Sequence, residues 1–368
     1  MEAVRSNFSQ SYFPSKAQSP KAMPYSQKLS LALTVLAPMW PVIITFGLMS
    51  NITNIIVFLK AGVKENVTTL MLSLSISDLA FLILITPTMC GIFIMAYAKL
   101  YPWPFDFHFI YFKFYWPAFT AYDISAFISV SLGVIRCACV AMPLRFKLVF
   151  TKARTVKWVL FLVALAVGLR IPVLSIFRIV HITNPATNVS TLYLAEMNKD
   201  AMSRINDVMN RGVVIWINYT TMITCVCILS FKLYQASKIR RSITAAEPQH
   251  AGTSAEKTAP QTPLQSKDLQ VIKSVVLVCS IFILSQLPFL IVSTYRLVES
   301  DFTVEARLHN LFSLFSQTSL TCSYLNASLN IFVYYNYNSK YRAVFQSLLS
   351  WGGGRDIKHN VAEKIRTA

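Results

Sequence analysis

The sequence predicts an all-α membrane protein, a seven-transmembrane helix bundle with a C-terminal amphipathic helix. Three observations carry this. Of 368 residues, 54% are hydrophobic and only 14% charged, and the mean hydropathy of +0.50 is far above that of soluble globular chains. Seven apolar runs (33–59, 68–95, 111–142, 156–180, 212–233, 271–295 and 311–335) are each long enough, as helices, to cross about 30 Å of hydrocarbon. After the last of them, apolar residues Tyr341, Val344, Phe345, Leu348 and Leu349 fall on one helical stripe, and Gly352-Gly353-Gly354 closes it.

The basic residues orient the bundle. With residues 1–32 outside, 20 Lys and Arg lie in cytoplasmic segments and 12 in external ones, the bias expected of a chain with its N-terminus out and C-terminus in. Most of the net charge of +18 then faces anionic lipid, and no segment is left over to bind nucleic acid. The organisation is an extracellular segment 1–32, a transmembrane domain 33–350 that includes the amphipathic helix 339–350, and a cytoplasmic tail 351–368. Residues 1–32 have no cleavable leader pattern, so the first span should act as an uncleaved anchor. Residues 247–266, rich in Pro, Gln, Ser, Thr and Ala, are expected to form a mobile cytoplasmic loop with candidate phosphorylation sites.

The first span carries Asn51 and Asn54 on one face, where amides can hydrogen-bond to a neighbouring helix. In the second, Asp78 is the sole acid and lies well inside; a carboxylate there is costly and marks a functional site, against the bland alternative of a protonated acid in an interhelical hydrogen bond. Tyr101-Pro102-Trp103-Pro104-Phe105 suits the outer interface, and Trp116-Pro117 continues that aromatic belt. The third span carries Tyr115, Phe119, Tyr122 and Asp123 as candidates for a ligand pocket, although an aromatic stripe is more often packing. It ends in Arg136, which can snorkel or pair with an acid of another helix, followed by Pro143-Leu144 and a basic patch. Pro172 and Pro288 can kink the fourth and sixth spans, with Gln286 just before the second kink as a further pocket candidate.

Glycosylation sequons at Asn7 and Asn188 fall in external segments; those at Asn51, Asn66, Asn218 and Asn326 fall where transfer cannot occur. Of seven cysteines only Cys90 lies near the outer face, so the loop 181–211 should be held by packing without a disulfide.

Seven spans with Asn54, Asp78, Arg136 with Pro143-Leu144, Pro288, the Asn330-to-Tyr334 spacing and the terminal amphipathic helix together resemble a rhodopsin-like (class A) G-protein-coupled receptor from about residue 33 to 350. Within that family, the stretch from Ser50-Asn51 to Lys60, Arg136-Cys137-Ala138-Cys139-Val140, Ile281-Phe282-Ile283 with Leu287-Pro288, and Ser339-Lys340-Tyr341-Arg342 resemble the chemosensory-receptor expansions of molluscs. The resemblance implies a multi-pass plasma-membrane receptor that is not an enzyme and holds no cofactor beyond an allosteric sodium ion. It implies an extracellular small-molecule or peptide ligand, a chemosensory cue above all, and a heterotrimeric G protein as partner, with membrane lipids around the bundle. It places Asp78, the metal-binding acid, with Ser125, Asn326 and Asn330 at a sodium pocket, with Asn54 in the same polar core, and Arg136, Asp268, Pro143, Leu144, Pro288 and Tyr334 at the coupling switch.

Departures from the family pattern accompany it. Ile135 stands where an acid usually precedes the arginine, Gln286 where a tryptophan usually precedes the proline, Ile331 where a proline usually follows Asn330, and Tyr111 where an external cysteine is usual. Ala118 lacks the acid of amine receptors and Tyr324 the lysine of opsins, so both ligand classes are disfavoured. A neuropeptide receptor of the same fold remains open. So does a seven-helix transporter or channel, because a buried acid and broken helices also suit an ion path, although no inverted repeat is visible.

Overall fold

A computed structural model of the protein describes residues 36, 38–63, 65–97, 107–141, 150–183, 190–196, 199–246, 266–299, 301–302 and 307–350. The first four spans are α1 (Met39–Ala61), α2 (Asn66–Tyr97), α3 (Phe107–Ala141) and α4 (Lys152–Leu174). The fifth begins as α5 (Lys199–Asn206), passes through a π-helical stretch (Asp207–Val214) and continues as α6 (Ile215–Ala246). The sixth is α7 (Ser266–Val298), and the seventh is α8 (His309–Ser328) with α9 (Asn330–Tyr337). The amphipathic helix is α10 (Ser339–Leu349), capped by Asn338, whose side-chain oxygen accepts from the Tyr341 N–H at 3.0 Å.

Among the described residues, six helices are long and apolar enough to cross a membrane. The seventh span falls short because Gln317, Ser319, Thr321, Ser323, Asn326 and Ser328 sit along it, and most of them are buried against other helices. At Leu329 its ladder tightens: the Phe332 N–H donates to the Leu329 carbonyl three residues back, which separates α8 from α9. The fifth span starts at Lys199, about three turns before the apolar run, because helical hydrogen bonding continues beyond the segment that hydropathy detects.

The fourth span is shorter than expected. It stops at Leu174, two residues after Pro172, which has no N–H to continue the ladder. Residues 177–180, assigned to that span by hydropathy, instead begin strand β1 (Phe177–Thr183), which pairs antiparallel with β2 (Ser190–Glu196) in the register Phe177↔Glu196 to Thr183↔Ser190. The helical bundle therefore carries one hairpin. The Ile- and Val-bearing 177–183 stretch suits a pleated strand as well as a span.

The third span is the most enclosed, packing against α2, α4, α6 and α7, whereas the fourth and fifth expose the most apolar surface. Two apolar clusters fill the interior. One, toward the hairpin end, holds Trp40, Phe81, Ile85, Phe119, Tyr122 and Tyr324. The other, toward the α10 end, holds Phe58, Leu74, Leu132, Ile135, Phe282 and Tyr334. Asp78, Ser125 and Asn330 fall between the two along their helices. α1 approaches α8 closely at Gly47, where a Cβ would strike the Ser328 hydroxyl and Leu82. Polar bonds reinforce that seam: Asn51 Nδ2 donates to the Ala327 carbonyl at 2.7 Å, Ser50 Oγ to the Ser328 carbonyl at 3.0 Å, and Trp40 Nε1 to Thr321 Oγ1 at 2.9 Å.

Candidate functional site: a polar node between two apolar clusters

Asp78 is fully buried on α2. A carboxyl group in an apolar interior must find donors, and it finds two: Ser125 Oγ on α3 donates to Oδ1 at 2.5 Å, and Asn330 Nδ2 on α9 donates to Oδ2 at 2.9 Å. One side chain thus joins the second, third and seventh spans. Asn326 is buried on the same seventh span, about one turn before Asn330. The Asp78 carboxylate and the Ser125 hydroxyl are hard oxygen donors of the kind a sodium ion takes, whereas Asn330 presents its Nδ2 to the carboxylate. Asn54 belongs to a different joint.

That joint lies toward the α10 end. Asn54 Oδ1, on α1, accepts from the Tyr341 hydroxyl of α10 at 2.6 Å, with both groups buried. Phe58 meets Tyr334 and Tyr341 at centroid distances of 5.1 and 5.3 Å, and Tyr334 lies 5.8 Å from Tyr341. Burial pushes the Tyr341 phenol above the usual tyrosine range, so it stays protonated and donates. Nearby on α3, Ile135 is buried in the apolar cluster and Arg136 is half-buried. Cys137 Sγ lies 3.4 Å from the Cys225 carbonyl of α6, and all seven cysteines carry free thiols. Asp268 lies in the first turn of α7, but its side chain and residues Pro143 and Leu144 fall outside the described residues, as do Asn7 and Asn188.

Toward the hairpin end, Gln286 Nε2 on α7 donates to the Tyr122 hydroxyl on α3 at 2.9 Å. Asp123 forms an ion pair with Arg170 of α4, and the Arg170 guanidinium lies 5.7 Å from the Trp116 ring. A cavity of about 30 Å³, room for ordered water, is lined by Tyr122, Asp123, Asn210, Asn218, Tyr219 and Gln286. Of the sequence-derived pocket residues, Tyr122, Asp123 and Gln286 reach it. Tyr115 and Phe119 instead pack on each other at 4.6 Å, and Phe119 against Phe81 at 6.0 Å. Pro288 is half-buried two residues farther along α7.

Sequence reasoning missed several of these groups. Arg170 is the partner of Asp123, and the signal was present: an acid inside a membrane calls for a base inside the membrane. The π-helical stretch turns Asn210 inward, where its Nδ2 donates to the Leu169 carbonyl at 2.7 Å and to Asn206 Oδ1 at 2.8 Å. In the same stretch Asp207 pairs with Arg211 at 3.4 Å and with Arg296 of α7 at 3.5 Å, tying the fifth span to the sixth. The i,i+4 spacing of Asp207 and Arg211 is legible in the chain, whereas nothing in the periodicity announces the contacts to Leu169 and Arg296.

The described residues thus form a small chamber, a buried acid bridging three spans, and an aromatic joint toward the α10 end. No curated protein matches the chain. Residues 50–334, well over half of it, match the family of seven-transmembrane receptors described as the rhodopsin family. The chain belongs to the rhodopsin family of seven-transmembrane receptors.

Proposed function

We propose that the protein binds an extracellular ligand, a chemosensory cue or small peptide, and passes the signal to a heterotrimeric G protein at the plasma membrane. The N-terminus lies outside in this reading, following the excess of Lys and Arg in the segments placed inside. Activation is a population shift: ligand prefers the state in which the cytoplasmic end of α7 swings away from α3 and opens a cleft for the G protein. The supporting observation is the Asp78 node, which joins three spans between the chamber at Gln286 and the joint at Tyr334. A shift of Ser125 or Asn330 on either side changes the bonds Asp78 can accept, so the two ends are coupled through one group.

The chamber holds water and not a whole ligand, so in this reading the ligand acts on it from the hairpin side, where Asp123, already paired with Arg170, offers a cationic amine no free acid. A sodium ion at Asp78 stabilises the resting state. The receptor works without catalysis and without any other cofactor. A screen of waterborne small molecules and short peptides in cells with a promiscuous G protein tests the proposal. Ligand-dependent signalling above mock transfection supports it. Ligand-independent ion currents from the purified, reconstituted chain, with no signalling to any ligand, point to the transporter or channel alternative.

A further inference from the structure

On the flank of the bundle, α3 and α4 enclose a groove of about 430 Å³ lined by Val130, Ser131, Val134, Ile135, Arg154 and Trp158, with Phe150 and Thr155 completing it. That volume lies in the range of about 300–1,000 Å³ that holds a drug-sized ligand. Its walls are fixed. Trp158 Nε1 donates to Ser131 Oγ at 2.9 Å, and the Trp158 ring stacks on Phe161 at 5.3 Å, so the indole is held upright between the helices.

The groove opens sideways toward the bilayer, as the exposure of Val134 and Trp158 shows. A cation stands at its α10 end, with two more close by in sequence. Arg154 lines it, Lys152 and Lys157 are exposed on the same first turns of α4, and no acid lines the groove among the described residues. Ile135 matters here: an acid at this position would set a negative charge in the wall, whereas isoleucine extends the apolar surface to the base of the cationic cluster. An apolar slot with a positive rim has the chemistry of an amphiphile with an acidic head.

We propose that this groove is a binding site for one anionic phospholipid, with an acyl chain against Val130, Val134 and Trp158 and its headgroup among Lys152, Arg154 and Lys157. The lipid comes from the leaflet that the orientation above makes cytoplasmic, where acidic headgroups concentrate. The site lies beside Ile135 and Arg136, so an occupant touches the end of α3 that the coupling proposal uses.

Native mass spectrometry of the full-length purified chain tests this without any G-protein readout, so its outcome is separate from that of the functional proposal. The chain is equilibrated in detergent with equal amounts of phosphatidylserine and phosphatidylcholine of identical acyl chains. One phosphatidylserine should be retained in preference, and Arg154→Gln, at an exposed position, should weaken that preference about fivefold. Val134→Phe, which fills the slot from an exposed position and leaves all charges in place, should lower retention of both lipids. Soluble phosphoserine should not compete. Equal retention of the two lipids, a preference that neither variant alters, or displacement by phosphoserine would each overturn the proposal, the first two leaving only annular lipid and the third a simple anion site.

Discussion

Tyr341 of the amphipathic helix donates its hydroxyl to Asn54 Oδ1 of the first span at 2.6 Å, across 287 residues of chain. The bond docks α10 on the bundle in concert with the Phe58, Tyr334 and Tyr341 rings. Tyr341→Phe keeps the ring and strands a buried amide carbonyl, at a cost of about 1–3 kcal/mol. The Tm of the purified receptor should fall. Asn54→Ala combined with Tyr341→Phe should cost less than the two single losses added together, because both act on one bond. Additive losses would show that the two side chains do not meet.

Asp78 is held by Ser125 and Asn330, and its carboxylate with the Ser125 hydroxyl oxygen is what the proposed sodium ion would use. Replacing choline chloride with sodium chloride at constant ionic strength should lower agonist affinity for the wild-type receptor and leave Asp78→Asn unaffected. Wild-type affinity indifferent to sodium, together with normal signalling by Asp78→Asn, would remove the ion from the account.

The Arg170–Asp123 pair makes a charge-dependence prediction. Arg170→Ala leaves a carboxylate uncompensated in the span, a loss of about 3–5 kcal/mol in buried settings, and surface expression should drop sharply. The double variant Asp123→Asn with Arg170→Gln should express better than Arg170→Ala alone, since no buried charge is left unmatched. Flow cytometry of surface-labelled cells reads this directly, and wild-type expression of Arg170→Ala would contradict it.

Ile135 cannot pair with Arg136 as an acid would, so we propose that Asp268, in the first turn of α7, supplies the resting-state latch across the ends of α3 and α7. A partly exposed pair of this kind contributes about 1 kcal/mol. Basal signalling should be measurable, Asp268→Ala should raise it and Ile135→Asp should lower it. Basal activity at mock level that neither variant changes, at equal surface expression, would remove the latch.

The parts of this receptor that depend on one residue and its immediate medium were legible in the chain. Asp78 declared itself because a lone carboxyl in an apolar run must find donors, and the amphipathic stripe from Tyr341 to Leu349 declared itself through its period. Contacts between distant residues were not legible. Asn54 read as part of the polar core, yet its partner is Tyr341; Asp123 read as a pocket acid, yet Arg170 neutralises it. The seventh span is polar on the faces it buries, so hydropathy undervalues it, and the Ile- and Val-bearing start of β1 reads as the tail of a span until Pro172 and the β2 pairing are seen.

The most direct test of the central claim places spin labels at the α10 ends of α3 and α7 in a cysteine-depleted receptor reconstituted in nanodiscs with G protein, and measures the distance distribution with and without an activating ligand from the screen. Ligand addition should shift the α3–α7 distances to longer values, in parallel with ligand-stimulated nucleotide exchange on the G protein, and Asp78→Ala should lose that coupling. Nucleotide exchange stimulated with an unchanged α3–α7 distance, or a distance shift fully retained in Asp78→Ala, would contradict the claim.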